Sequence, residues 1–232
     1  AILLFSLGNI ILALSLQVLY QFDQFVLTHH IYAISWFYLI GLFGNFFGYS
    51  LIALAYGYLL DIKLPLNFNA PGLSRSPSNF WERWHISLSL VFEKIIFPRM
   101  REFFRERLKL NSAVFSILCT LMISGVWHGI GVGYLIWVSI HFLSFLVLGK
   151  SKLPNILNFL IFWILTIPSW YFFSVGDLSI SEIASSINIL GGDLSFQSLG
   201  SRFSISLIII SILFFIPFNI LVFKSLNYQE NE

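Results

Sequence analysis

The sequence predicts an all-α, polytopic integral membrane protein with about six transmembrane helices plus re-entrant or interfacial helices. Three observations carry that prediction. Hydrophobic residues make up 57% of the 232 and charged residues only 10%, against roughly 25% charged in soluble domains, and mean hydropathy is +0.84. Apolar residues gather into runs near the ~20 residues that a bilayer-crossing helix needs. Those runs lack the period-two alternation of barrel strands, which leaves helices to satisfy their own backbone groups in lipid.

The runs fall at Ala1–Tyr20, Ile31–Leu60, Ala113–Val126, Ile130–Leu148, Ile156–Phe173 and Phe203–Phe223. Ala113–Val126 is short for a full crossing, so it is expected to end inside the protein near His128 or to form a re-entrant arm. Ile86–Phe97 is briefer still and flanked by Arg83, Lys94 and Arg99, which favours an interfacial or re-entrant helix over a span. Between these segments, Asn67–Ser78 is the longest stretch of turn-formers; its prolines restrict the residues before them, and Ser78 or Asn79 could cap a following helix. No internal repeat is evident, and the chain reads as one domain, 1–232. It opens Ala1-Ile2-Leu3-Leu4-Phe5 with no basic n-region, unlike a signal peptide, and is expected to be the C-terminal part of a longer protein.

Charge gives an orientation and excludes partners. Lys63, Arg75 and Arg83 follow the second run; Lys94, Arg99, Arg101, Arg105, Arg107 and Lys109 precede the third; Lys150 and Lys152 follow the fourth. With these loops and Lys224 in the cytoplasm, Gln21–His30 and Ser174–Arg202 lie outside with Arg202 as their single base, in accord with the positive-inside rule. A net charge of +2, spread beside apolar runs, points to topology and not to nucleic acid. The bases of Glu93–Lys109, interspersed with Glu93, Glu102 and Glu106, suit an amphipathic segment facing anionic headgroups or an acidic carrier. Cys119 is the single cysteine, so the chain holds no internal disulfide and no thiolate metal cluster. Phosphate loops of the Gly-x-x-x-x-Gly-Lys type, Gly-x-Ser-x-Gly elbows and His-Glu-x-x-His zinc motifs are absent from the sequence.

Two words carry ionisable or aromatic chemistry. In Ser124-Gly125-Val126-Trp127-His128-Gly129-Ile130-Gly131 a lone imidazole sits between two apolar runs, where an ionisable group is costly and by default a functional-site candidate. A dry setting disfavours the charged ring, leaving it able to accept a proton as a general base. Gly125, Gly129, Gly131 and Gly133 leave room for a substrate or for another backbone, and Trp127 could form a wall. The competing reading is a buried histidine bonded to a neighbouring helix, with glycines serving helix packing. The second word is Asn79-Phe80-Trp81-Glu82-Arg83-Trp84-His85-Ile86-Ser87-Leu88-Ser89. A helix through it would put Trp81 and His85 on one face, as it would Glu82 with Ile86 and Arg83 with Ser87; Trp81, Trp84 and Arg83 also suit interfacial anchoring. His141, a turn beyond Trp137, favours a structural hydrogen bond across helices. The adjacent His29 and His30 cannot share a helical face and are assigned no chemistry.

Taken together, Phe80-Trp81-Glu82-Arg83-Trp84-His85-Ile86-Ser87-Leu88-Ser89 followed by Trp127-His128-Gly129 resembles the membrane-bound O-acyltransferase (MBOAT) family, in its bacterial branch of alginate O-acetyltransferases and the D-alanyl transferase of teichoic acid synthesis. Gly48-Tyr49-Ser50, Leu64-Pro65-Leu66-Asn67-Phe68-Asn69-Ala70-Pro71 and Trp170-Tyr171-Phe172-Phe173 extend the likeness over most of the chain. The resemblance implies His128 as the catalytic histidine and His85 as the second histidine of the site, with Trp127, Gly129, Trp81, Arg83, Trp84 and Asn79 beside the substrates and no bound metal or cofactor. It implies a multi-pass protein of the bacterial plasma (inner) membrane with its N-terminal helices absent from this chain. Asn45, Leu51, Ser174 and Glu93-Lys94 depart from the branch's usual residues, which bears on the substrate.

The activity so implied is transfer of an acyl group, acetyl or similar, from a cytoplasmic thioester (an acyl-CoA or an acylated carrier protein) to a hydroxyl of an exported polysaccharide or other envelope glycan, or to a periplasmic acyl-relay protein. Rival classes are a transporter or channel component using His128 and His141 as relay points, a haem-binding subunit with axial histidines, and an inactive scaffold.

Overall fold

The computed structural model describes residues 1–25, 31–108, 112–177, 179, 181, 182 and 205–217; His29, His30, Lys109, Arg202 and Lys224 lie outside them. Every regular element among the described residues is helical, with one isolated backbone bridge between Phe68 and Trp84. The helices are α1 (Ile2–Phe25), α2 (Ile31–Leu59), α3 (Pro77–Trp81), α4 (Ile86–Val91), α5 (Phe97–Glu106), α6 (Ser112–His128), α7 (Val132–Leu148), α8 (Asn155–Thr166), α9 (Ser169–Ser174) and α10 (Ile205–Phe215), with a 3₁₀ turn at Pro71–Leu73 and a π-helical turn at Phe92–Ile96.

Ile2–Tyr20, Ile31–Leu59 and Asn155–Ser174 are long and apolar enough to cross a membrane, while Ser112–His128, Val132–Leu148 and Ser206–Phe215 are apolar but shorter. Among the described residues the expected runs thus appear as three helices of spanning length and three shorter ones, the sixth run, Phe203–Phe223, extending beyond the described residues at both ends. At ~1.5 Å per residue the 17-residue α6 reaches roughly 25 Å, and it ends at His128 as its short apolar run foretold. The fifth run is broken between α8 and α9 because Pro168 has no N–H to continue the ladder.

Helix α1 lies along α2 through close backbone contact. A Cβ on Gly48 would stand 2.8 Å from the Leu12 nitrogen, and one on Gly8 would stand 2.7 Å from the Gly48 carbonyl oxygen. Apolar side chains gain little by association within lipid, so small residues that admit a neighbouring backbone become the adhesive. Helix α10 closes over the pair: Ile210 packs at Gly44, and the Ser206 hydroxyl donates to Gln17 Oε1 at 2.6 Å.

The core is aromatic. Phe43, Phe68, Phe80, Trp84, Trp170 and Phe214 are each at most 5% exposed, and Phe80 stacks on Trp84 at 5.6 Å. Around this centre α3, α4 and the π turn lead into α5, whose arginines are exposed while Phe104 is buried against Phe115 of α6. The amphipathic segment expected at Glu93–Lys109 is therefore present, continuous with α4. Pro98 cannot donate to Lys94, and the helix ladder widens into the π turn just before it.

Replacement of Gly48 by leucine should separate α1 from α2 and destabilise the protein by about 1–3 kcal/mol. A thermal unfolding midpoint in detergent equal to wild type would contradict that contact.

Candidate active site

The segment carrying His85 is shaped by backbone competition. Helix α3 starts at Ser76, whose hydroxyl accepts from the Asn79 N–H at 3.2 Å; the cap is Ser76, not Ser78 or Asn79, because Pro77 occupies the first helical position. The helix does not run through the aromatic word, so Trp81 and His85 share no helical face, nor do the Glu82–Ile86 and Arg83–Ser87 pairs. The Asn69 N–H instead donates to the Arg83 carbonyl at 3.0 Å, the Ile86 N–H donates to the Asn67 carbonyl at 3.0 Å, and the Arg83 guanidinium donates to the Asn69 carbonyl at 2.9 Å. This short antiparallel pairing withdraws the groups that a helix would use. His85 takes φ 46° and ψ 52°, the left-handed region, before α4 begins, a conformation uncommon outside glycine.

Asn67 is the anchor of that pairing; the sequence showed it among turn-formers and in the Leu64–Pro71 segment of the family resemblance, without a role of its own. Its Oδ1 accepts from the Ser87 hydroxyl at 2.6 Å and from the Ser87 N–H at 3.4 Å, while its amide donates to the Ser50 hydroxyl at 3.1 Å. An asparagine ties α2, the loop and α4 together beside the second histidine.

His85 and His128 meet across one indole. The Trp127 ring lies 6.2 Å from the His85 ring and 4.6 Å from that of His128, and Trp127 is 59% exposed at the end of α6. Phe46 of α2 packs edge-on to His85 at 4.4 Å. Burial, then the nearby His128 ring, lowers the His85 pKa to about 4, which keeps that imidazole neutral near pH 7. His128 is enclosed by Phe173 at 4.7 Å, Trp137 at 5.9 Å and Tyr134 at 6.3 Å. Among the described residues neither imidazole hydrogen-bonds another residue's side chain; the rings of Phe46 and Trp127 pack on His85, whose backbone is fixed by the loop pairing, and those of Trp127, Phe173, Trp137 and Tyr134 pack on His128. In the sequence Phe173 was visible within the Trp170-Tyr171-Phe172-Phe173 word of the family resemblance, Trp137 as the residue one turn before His141, and Tyr134 only as a member of an apolar run.

The glycines beside His128 admit the protein's own chain. The space at Gly129 is taken by the Tyr134 ring, that at Gly125 by Val138, and Cβ atoms on Gly131 or Gly133 would overlap the backbone around Gly176 and Phe172. Close approach of another backbone is thus realised at Gly131 and Gly133, while Gly125 and Gly129 admit neighbouring side chains.

The other named residues divide by place. Trp81 packs on Trp137 and His141, at 5.8 and 5.4 Å, and borders a cavity of about 490 Å³ between α3, α4, the π turn and α6. Ser124, one turn before His128, also lines that cavity, with Ser89, Thr120, Glu82 and Glu93. Trp84 is a core residue, 5% exposed. Arg83 is committed to the loop pairing, and the Asn79 amide donates to Glu82 at 3.2 Å. Among the described residues no group of three histidine, cysteine or acidic side chains is placed to hold a metal ion.

A family model described as MBOAT, membrane-bound O-acyltransferase family, matches residues 5–152. The chain is 36% identical to the teichoic acid D-alanyltransferase of Bacillus subtilis (strain 168) over 106 residues, covering 43% of this chain and 26% of that protein. It is 29% identical over 146 residues to a probable alginate O-acetylase of Pseudomonas aeruginosa (60% of this chain, 28% of that protein), and 29% identical over 160 residues to the peptidoglycan O-acetyltransferase of Helicobacter pylori (65% and 29%). The matched part is thus between about a quarter and three tenths of the length of these relatives.

Loss of the Asn67 side chain in Asn67→Ala strands the Ser87 donors and the Ser50 hydroxyl. Stability should fall by about 1–3 kcal/mol, read as a lowered unfolding midpoint in detergent; an unchanged midpoint would show that these bonds do not hold the His85 segment.

Proposed function

The chain belongs to the membrane-bound O-acyltransferase family, and from that premise we propose that the protein moves an acyl group from a cytoplasmic thioester to a hydroxyl of an exported polysaccharide or other envelope glycan, with His128 as general base. The observation that carries this reading is the convergence of His85 and His128 on the Trp127 ring, although 42 residues of chain lie between the two histidines.

In the proposed step His128 takes the proton of the acceptor hydroxyl as its oxygen attacks the thioester carbonyl carbon. The C–O bond forms, the C–S bond breaks, and the departing thiolate receives the proton held by the His128 imidazolium. His85, neutral and facing the same indole, orients the acceptor or polarises the carbonyl. Trp127 and Gly129 border the reacting groups, Trp81 faces the adjoining cavity, and Asn79, Arg83 and Trp84 maintain the segment that presents His85. Phe173, Trp137 and Tyr134 cover part of the half-buried His128 ring, and this partial shielding from water favours transfer over hydrolysis.

The donor side of the reading rests on charge. The cavity lining contains Glu82 and Glu93 but no basic side chain, so it suits a neutral thioester arm, whereas the exposed arginines of α5, on the next element along, suit an anionic headgroup or an acidic carrier. With those bases in the cytoplasm the protein is a multi-pass component of the bacterial plasma membrane, and the acceptor, a glycan or an acyl-relay protein, approaches from the other face. The named relatives act, by their titles, on teichoic acid, alginate and peptidoglycan, which supports an envelope polymer as the acceptor class.

In membranes holding the full-length protein, His128→Ala should lower transfer from labelled acetyl-CoA or an acylated carrier protein by about 10²–10⁴-fold at an equal level of inserted protein. Full activity in that variant would remove His128 from the mechanism.

A further inference from the structure

The long edge between α7 and α9 is pinned at two points, with the His128 enclosure between them. At one end the Gly133 N–H donates to the Gly176 carbonyl at 3.2 Å. At the other, His141 Nε2 lies 3.3 Å from the Ser169 hydroxyl, with both residues fully buried. Trp137 is four residues from both Gly133 and His141, and Phe173 is four from Ser169 and three from Gly176. A spacing of four is a single helical turn, so the pairs 137–173 and 141–169 form successive rungs of α7 against α9, and the 133–176 pair continues that line in the turn just past the end of α9. Trp137 and Phe173, 5.2 Å apart on the middle rung, are the rings that pack on His128.

The polar rung has a defined proton arrangement. The Ser169 hydroxyl donates its single proton to the Thr166 carbonyl at 2.6 Å, so towards His141 the oxygen can only accept. His141 Nε2 therefore carries the proton and donates it. The ring is fully buried among Trp81, Trp137 and Trp170, and removing either partner would leave a buried donor or acceptor unmatched, so the bond resists alternative packings of the two helices.

We propose that the His141–Ser169 hydrogen bond is a positioning clamp for catalysis: by fixing the register of α7 against α9 it holds Trp137 and Phe173 on the His128 ring, which no side-chain hydrogen bond holds among the described residues. His141 is thus a positioning residue and not a proton relay; its Nε2 proton is committed to Ser169, and the Trp137 indole stands between its ring and that of His128. The proposal rests on His128 being the base, and its test is built to separate the two.

The experiment uses full-length protein in detergent and compares wild type with Ser169→Ala, His141→Leu, the double variant and His141→Gln, whose amide N–H can reach Ser169. Two quantities are read: kcat and KM for acyl transfer, and the rate at which diethyl pyrocarbonate modifies His128, followed by peptide mass. Ser169→Ala and His141→Leu should each lower kcat by roughly 10- to 100-fold, as small misplacements of reacting groups do, with KM within about twofold. The double variant should be no worse than the poorer single variant, His141→Gln should retain most of the rate, and the His128 modification rate should shift in Ser169→Ala but not in His141→Gln. Unchanged kcat with unchanged modification in Ser169→Ala, or losses that multiply in the double variant, would overturn the clamp. If His141→Leu does not fold, Ser169→Ala and His141→Gln decide alone. If wild type transfers nothing, the acyltransferase reading has failed, and the modification rates still decide: a shift at His128 in Ser169→Ala supports the clamp, and none overturns it.

Discussion

The rest of the site depends on the antiparallel pairing of Asn67–Asn69 with Arg83–Ile86. By taking the backbone groups of Arg83 and Ile86 out of helical use, it forces the left-handed turn at His85. A conformation of that kind costs about 1–3 kcal/mol and persists only where its surroundings over-determine it. Here the surroundings are the Asn67 bonds to Ser50 and Ser87 and the Arg83 bond to Asn69. Without the turn, the second imidazole would follow the axis of α3, and it is the turn that brings it to Trp127.

The first imidazole is placed differently, by apolar packing instead of polar bonds. Glycines at 131, 133 and 176 let the start of α7 and the end of α9 approach at backbone distance, and that approach brings Trp137, Tyr134 and Phe173 around His128. In a protein whose helices gain little from apolar association in lipid, close backbone approach and a few buried polar bonds set geometry. The site therefore has one histidine held by strained backbone and one held by a cage of rings, with an exposed indole joining them.

Much of the architecture was legible because spanning length and low charge are strong one-dimensional signals. The early end of α6 at His128 and the amphipathic α5 each follow from local composition, whereas Ile156–Phe173 reads as one continuous run in the sequence and is broken at Pro168 in the structure. The helix drawn through Trp81–Ser87 did not form, since the competing partners, Asn67 and Asn69, lie outside the window that periodicity sees. The same limit hid Phe173, whose importance comes from packing on a residue 45 positions earlier, and left the glycines open between ligand space and helix contact. His128 stood out as an ionisable group in apolar surroundings and His85 as part of an aromatic and basic word; the family resemblance implied that both belong to one site, while their meeting at Trp127 is a tertiary fact.

In the proposed mechanism donor and acceptor meet in the space bounded by His128, His85 and Trp127. The most direct measurement is an experimental structure of the full-length protein with a non-transferable thioether analogue of an acyl donor bound. The analogue should thread along the cavity past Trp81 and Ser124, with its carbonyl-bearing end at hydrogen-bonding distance of the His128 imidazole. An analogue seated with its reactive end remote from both histidines, and His128 facing only protein, would contradict it.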